Sequence, residues 1–469
     1  MIPTGLQRRF SRCSMEKLKV LILAAGKSTR MKSKYAKVLH RAGGRTLVDH
    51  VVRTARGLSG DIVVVVGHSA EQVKASVSEV TFVDQKEQIG TGHAVLAARE
   101  VFSGYTGQVL VMPGDVPMIT AATLEAFLQF HSDIGFRASV LTADIDNPHG
   151  YGRIVRRNNN EVEAIVEDRD ANPDVLKIRE INSGIYLFDA AVLFESLSKI
   201  RNDNAQREYY LTDVIGILAG QKEKVGAFKV RSAEEILGIN TRQELAAVDR
   251  VMRRRKCESL MTDGVTIVDP QTTYIDDTVQ IGADSVVYPS VQIYGQTVIG
   301  EDATIHSFSR ISNSKIGTKS VVLEGCIVVD STIGDDVSIG PYAHLRMGTT
   351  LGDTARVGNF VEIKKSAIGA GTKSMHLAYL GDATIGKNVN VGAGVITCNY
   401  DGVNKHATVI EDGAFVGTDS QLIAPVRIGK DAYVAAGSSI TDDVPPESLA
   451  IARGKQVNKE GWVRARRKK

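Results

Sequence analysis

An α/β domain followed by a solenoid of short parallel strands is predicted for this 469-residue chain, and three observations predict it. Continuous apolar runs alternate with helical stretches in the first half. An aliphatic residue recurs every six positions through much of the second. Forty-four glycines against 6% aromatic residues mark an architecture punctuated by glycine. The length agrees, because about 150 residues per domain makes two or three domains the expectation.

Residues 1–16 read as an N-terminal extension. Their start, MIPTGLQRRFSRCS, has three arginines and no acidic residue but lacks the apolar core of a secretory signal, and Met15 is an equally plausible first residue. The first domain spans residues 17–240. VLILAAG, IVVVVG (62–67), QVLVMPGD (108–115), ASVLTADI (138–145) and INSGIYLFD (181–189) read as strands buried on both faces. They predict a mostly parallel sheet between helices, a Rossmann-like layout. Residues 241–262 read as a linker helix: Thr241 is the N-cap, Glu244 stands three residues on, and Leu245, Val248, Val251 and Met252 form an apolar stripe. Its Arg-Arg-Arg-Lys run reads as a solvated face.

Residues 263–469 carry the repeat. Ile275, Ile281, Val287, Ile293, Ile299, Ile305 and Ile311 are six apart, as are the residues from Ile333 to Ile363 and from Ile410 to Ile440. Neither a helix nor an alternating strand has that period. Three hexads make one 18-residue turn of a triangular coil, each aliphatic side chain pointing inward. This is the pattern of the left-handed parallel β-helix, whose flat faces commonly support trimers.

Composition narrows the partners. Lys plus Arg total 57 and Asp plus Glu 54, so the net charge of +3 gives no whole-surface footprint for nucleic acid, and any polyanion site is local. No stretch approaches the roughly 20 apolar residues of a membrane helix. Four cysteines without CxxC spacing fit a reducing, cytoplasmic setting. The basic C-terminal KEGWVRARRKK reads as a solubilising tail or as a flap offering charge to phosphates.

Two groups of residues promise chemistry. In LAAGKSTRM (23–31), small residues after a strand let backbone N–H groups approach a phosphate, and Lys27 and Arg30 offset its charge, with Lys37 a further cation. Gln85, Gln88, Gly90 and Thr91 have the donors and acceptors to read a nucleobase edge. Asp115 follows a strand, where open α/β sheets bind ligands, and with the Asn240 amide oxygen it suits Mg²⁺. On the solenoid, GPYAHLRMG, FVEIKKS, SMHLAYLGD, NVNVGAG and ITCNYDGVNKH break the hexads with polar side chains. His376 is the general-base candidate, since imidazole titrates near neutral pH. Arg346 and Lys364 fall on recurring rungs and suit a sugar phosphate, while Tyr379, Asn390 and Asn399 offer neutral partners for a hexosamine. Residues 398–409 read as an extruded loop.

LAAGKSTRM, the KVLH lysine, QIGTGHA, GDVP, GYGRI (150–154), VED (166–168), EINSG (180–184), EYYLTD (208–213) and GIN (238–240), joined to a hexapeptide solenoid, carry a resemblance. From Leu18 onward the chain resembles the bifunctional family of N-acetylglucosamine-1-phosphate uridyltransferase and glucosamine-1-phosphate acetyltransferase. The resemblance implies acetylation of glucosamine-1-phosphate by acetyl-CoA, then transfer of UMP from UTP to the product with release of pyrophosphate. It implies that Leu23, Ala24, Ala25, Gly26, Arg30, Lys37, Gln85, Gly90 and Thr91 hold UTP, that Asp115 and Asn240 bind Mg²⁺, and that Gly152, Glu167 and Asn182 grip the sugar. It gives Arg346, Lys364, Tyr379 and Asn390 to the amino sugar and the proton to His376. Ala393, Asn399, Tyr400, Lys405, Thr418, Ala436 and Arg453 would line the acetyl-CoA side. It also implies a homotrimer. Ser28, Ala36, Pro113, Met375 and Thr418 depart from the family's usual Gly, Pro, polar or aromatic residue, Gly and Ser. Two other readings stay open: a nucleotidyltransferase for another sugar whose solenoid is structural or regulatory, and an assembly subunit without chemistry.

Overall fold

The computed structural model describes residues 17–26, 30–158 and 161–467. The N-terminal extension and the expectations placed on Lys27 and Ser28 lie outside the described residues. The chain divides into two compact units, up to Met252 and from Arg253 onward.

The first unit is built on β1 (Leu18–Ala24), α1 (Leu47–Arg56), β2 (Ile62–Val66), β3 (Thr81–Asp84), α2 (Thr91–Ala97), β4 (Gln108–Pro113), α3 (Ala121–Ile134), β5 (Ala138–Asp144), β6 (Arg153–Arg156), β7 (Val162–Val166), β8 (Glu180–Asp189), α4 (Asp213–Gly220) and β9 (Val225–Lys229). The sheet runs β9-β5-β8-β4-β1-β2-β3, with β6 pairing β8 and β7. Every neighbouring pair along that path is parallel except those of β8, which runs antiparallel between β4 and β5. Alternation explains the layers, since successive side chains of a strand point to opposite faces. Val20, Ile22, Ile62, Val64 and Val66 join one core, with α1 and α3 above it. Leu21, Val63 and Val65 join the other, packed by α2 and α4. Burial on both faces is why these strands are nearly continuous Val, Ile and Leu. α1 starts where the sheet requires a turn, Thr46 accepting from the Asp49 N–H at 3.3 Å as its N-cap.

α5 (Arg242–Thr262) begins with the capping box written into the sequence. Thr241 Oγ1 accepts from Glu244 N–H at 3.2 Å and Glu244 returns the bond, accepting from Thr241 N–H at 2.9 Å. Its first turns pack Leu245, Val248, Val251 and Met252 on Ala42, Leu47, Met118 and Ile239. Its last turns put Cys257 and Leu260 into the core of the second unit. The basic run is not wholly a solvated face. Arg253 turns inward, its guanidinium 3.5 Å from Asp276 and over the rings of Tyr274 and Tyr294, because a planar cation with an apolar stem packs on aromatic faces.

The second unit is the left-handed parallel β-helix, with sheets of eleven, ten and nine strands among the described residues. The aliphatic residues stack in columns: Ile275 pairs with Ile293, Ile311, Val328, Leu345, Ile363 and Leu380 in turn, all fully buried. The uniform 18-residue turn needs correction. From Ile311 to Val328, Val328 to Leu345 and Ile363 to Leu380 the turn takes 17 residues. One corner is shortened there, Ile311 being followed by Ile316 and Ile363 by Ile368 as inward residues. The repeat survives because only the inward position is fixed by packing, while corner length is free.

Candidate functional site

In the first unit, β1, β2, β3 and β4 end at the same edge of the sheet, and the turns that follow β1, β3 and β4 line a cavity of about 1090 Å³. Leu23, Ala24, Ala25, Gly26, Arg30, Lys37, Gln85, Gly90, Thr91, Asp115, Glu167, Asn182 and Asn240 all lie on its wall. Parallel strands deliver their C-terminal turns to one place, and this brings residues more than 200 positions apart together.

Four side chains form the centre of its charge. Lys37 makes an ion pair with Asp115 and donates to Asn240 Oδ1 at 3.0 Å, while Arg30 donates to the same oxygen at 2.8 Å. The Asp115 carboxylate and the Asn240 amide oxygen thus converge on one cation. α5 helps hold Asn240, since Glu244 accepts from its backbone N–H at 2.6 Å. Further along, Gln85 is buried and its amide donates to Gly90 O at 3.3 Å. Gly90 has φ +119° and a Cβ there would lie 2.6 Å from Tyr209 N, so both backbone and space require glycine. Thr91 Oγ1 accepts from Leu211 N–H at 3.1 Å, fixing the start of α2 against a neighbouring loop.

Across the cavity, Gly152, Glu167 and Asn182 meet: a Cβ on Gly152 would sit 3.5 Å from both Asn182 Cβ and Glu167 Oε1. Asn182 donates to Tyr186 Oη at 2.7 Å and accepts from Gly184 N–H at 2.9 Å, which leaves its position fixed by a bulge in β8. Burial pushes the Glu167 carboxyl above its ordinary value, a bond from Thr212 Oγ1 at 3.3 Å opposes this, and Asp170, Asp213 and Asp168 add to the rise. Sequence reasoning did not single out Thr212 or Tyr186, although Thr212 lies within the EYYLTD segment. Of the departures, Pro113 lines the cavity and Ala36 is buried beside Lys37.

The solenoid residues occupy two adjoining outward faces. His376 ends the strand Lys373–His376 and Asn390 opens the next rung, Asn390–Val391, of the same sheet. Leu377, at φ +47°, turns the corner. On the neighbouring face, Arg346 lies 2.8 Å from Glu362, and Glu362 is in register with Tyr379. Lys364 lies beside Lys405, whose ammonium holds it below the usual lysine value, and 4.0 Å from Asp382. Asp382 also accepts from the buried Asn399 side chain at 2.5 Å, tying the root of the loop to Lys364. The loop is shorter than expected, because regular strands run to Cys398 and resume at Thr408. Inside it Tyr400 bridges to Lys405, and Asp401 accepts from Val403 N–H, Asn404 N–H and His406 at 2.6–2.7 Å, which holds its carboxyl far below the usual carboxylate range. Ala393, Thr418, Ala436 and Arg453 stack on successive turns: Asp419 N–H donates to Ala393 O at 2.7 Å and Arg453 donates to Ala436 O at 2.9 Å. Met375 is partly exposed beside the base candidate. Asn359, whose Oδ1 accepts from His376 Nδ1 at 2.7 Å, was missed; it lies one 17-residue turn before His376, and counting back by a turn would have found it.

A cavity lined by cations and amides at the strand ends of an α/β unit, on one chain with a left-handed β-helix, defines a nucleotidyltransferase joined to a hexapeptide-repeat acyltransferase. A MobA-like NTP transferase domain matches residues 20–182, a GMPPB C-terminal domain residues 270–376 and a hexapeptide repeat of succinyl-transferase residues 407–442. The chain is 50% identical to the bifunctional protein GlmU of Shouchella clausii over 95% of its own length and 98% of that protein's. It is 51% identical to that of Geobacillus sp. strain WCH70 over 96% and 98%, and 48% identical to that of Pelobacter propionicus over 97% and 100%. The chain belongs to the bifunctional GlmU family. It is an enzyme with uridyltransferase and acetyltransferase activities, acting on small molecules in UDP-N-acetylglucosamine synthesis. No helix among the described residues is long and apolar enough to cross a membrane.

Proposed function

We propose that the first-unit cavity is where N-acetylglucosamine-1-phosphate attacks UTP. The observation that carries this is the convergence of the Asp115 carboxylate and the Asn240 amide oxygen on the Lys37 ammonium, with Arg30 donating to the same amide oxygen. A sugar-phosphate oxygen forms a bond to the α-phosphorus of UTP while the bond from that phosphorus to the bridging oxygen breaks, and pyrophosphate leaves. Nothing covalent is asked of the protein; its work is positioning and offsetting charge. The strand-end turns of Leu23 to Gly26 present backbone N–H groups to phosphates, Lys37 and Arg30 supply positive charge, and Gln85, Gly90 and Thr91 hold the base. Two oxygen ligands suit Mg²⁺, a hard cation that completes its shell with substrate phosphates and water. Asp115 and Asn240 would hold the ion, which would supply positive charge against the charge that develops on the phosphates.

Glu167 and Asn182 are assigned the sugar, with Gly152 leaving room for it. Glu167→Gln tests this. The buried carboxyl takes up its proton more readily folded than unfolded, so the stability it contributes is present below the unfolded value and is lost as pH rises through the folded one. The variant lacks that loss. Its melting temperature is expected to gain on the wild type between pH 4.5 and pH 7, while the KM for the sugar phosphate rises roughly tenfold or more through loss of a charged hydrogen bond. An unchanged KM would remove Glu167 from the sugar site.

The solenoid is assigned the acetyl transfer. His376 takes the proton of the glucosamine nitrogen as that nitrogen attacks the thioester carbonyl, and CoA leaves as its thiolate. Arg346 and Lys364 hold the sugar phosphate, Tyr379 and Asn390 the ring, and Ala393, Asn399, Tyr400, Lys405, Thr418, Ala436 and Arg453 the acetyl-CoA side. Lys364 and Lys405 side by side repel each other, and a bound phosphate relieves that repulsion. Because these groups lie on two faces flanking one edge, with Phe308, Tyr342, Phe360 and Leu377 exposed along that edge, the assembly read here is a homotrimer. A monomer in sedimentation equilibrium would contradict it.

A further inference from the structure

The base candidate does not stand alone on its rung. His376 and Asn359 are register partners on adjacent turns of one sheet, and His376 Nδ1 lies 2.7 Å from Asn359 Oδ1. An amide oxygen only accepts, so Nδ1 carries the proton and the lone pair is left on Nε2. Among the described residues Nε2 has no hydrogen-bond partner and the ring is exposed, so that lone pair faces outward. Three features hold the pair. Gly358 lets the turns stack closely, since a Cβ there would run into Met375 O; Leu377 N–H donates to Asn359 O at 3.0 Å; and Phe360 and Leu377 turn the corner in the same left-handed conformation.

We propose that Asn359 is the positioning residue of the acetyl transfer, fixing the ring and the tautomer of His376 so that Nε2 receives the amine proton. This rests on His376 being the base. The choice of amide matters: a carboxylate in this place would orient the ring equally well but would stabilise the imidazolium, and a base held protonated cannot accept a proton. Asn359 supplies the orientation without the charge. The charged or titratable groups of the adjoining rungs are Arg356, which is bonded to Asp336, Lys373 and, past the corner, Glu362 and Tyr379.

The test compares Asn359→Asp, Asn359→Leu and His376→Ala in the full chain, reading CoA release from acetyl-CoA and glucosamine-1-phosphate across pH 5.5–9, with pyrophosphate release and the unfolding midpoint as controls. In Asn359→Asp the acid limb of kcat/KM is expected to move up by about one pH unit or more while the activity plateau is kept. In Asn359→Leu kcat is expected to fall roughly 10- to 100-fold, by analogy with the loss of a partner that orients a metal-ligating histidine, with KM little changed. Pyrophosphate release stays at the wild-type rate in both. If Asn359→Leu fails to fold, the isosteric Asn359→Asp decides. The inference is overturned if both variants keep the wild-type limb and kcat while His376→Ala abolishes CoA release. If His376→Ala keeps CoA release, the base assignment falls and the inference with it, and that outcome is distinct from the first.

Discussion

Asp115→Ala is expected to lower pyrophosphate release from UTP and N-acetylglucosamine-1-phosphate by at least about 1000-fold while leaving CoA release within twofold of wild type. The magnitude follows from what the side chain supplies. Removing one well-placed electrostatic group from a transition state costs roughly 100- to 1000-fold, and Asp115 is assigned a metal ligand as well. The carboxylate also carries the ion pair to Lys37, so its loss frees that ammonium and leaves Asn240 as the one remaining oxygen on the shared cation. Asp115→Asn, of the same shape, separates charge from packing. It should be nearly as slow and should need a higher Mg²⁺ concentration for half-maximal rate. Chelation of the metal should stop pyrophosphate release and spare CoA release. A rate for Asp115→Asn within tenfold of wild type, at the wild-type Mg²⁺ requirement, would remove Asp115 from the chemistry.

His376→Ala is expected to lower CoA release by about 100- to 10,000-fold, the contribution of a positioned general base, and to leave pyrophosphate release untouched. The loss should fall on kcat rather than on KM, because the groups assigned to the sugar phosphate, Arg346 and Lys364, lie on the neighbouring face and are not disturbed. The acid limb of the pH profile should vanish with the imidazole, since no proton-accepting group remains to be neutralised. Retained CoA release with its acid limb intact would place the base elsewhere.

Much of this was legible in the chain before its structure. Strands buried on both faces announce themselves as unbroken Val, Ile and Leu, and Ile62–Val66 is entirely buried. The β6–β7 hairpin was not legible, because Arg153–Arg156 and Val162–Val166 show no regular alternation of burial and carry charge. The six-residue step was visible because the interior of the coil admits one aliphatic residue per face. The shortened corners were not, because nothing in the core records how many residues a corner uses. For the first site, local motifs sufficed: each lies at a strand end, and parallel strands bring such ends together. For the second, the residues that hold others in place escaped notice. Asn359 acts one turn away from His376, Asp382 links Asn399 to Lys364, and Arg253 looks like part of a basic run until the rings of Tyr274 and Tyr294 are beneath it. Their partners are set by turn length and by packing, and neither is written locally.

The central claim is that one chain carries two separable active sites whose intermediate passes from one to the other. The most direct test mixes the Asp115→Ala and His376→Ala proteins with glucosamine-1-phosphate, acetyl-CoA and UTP and follows UDP-N-acetylglucosamine. The account predicts that neither protein forms product at more than a small fraction of the wild-type rate alone and that the mixture forms it readily, each variant supplying the step the other lacks. A mixture no faster than the better of its two components would contradict it.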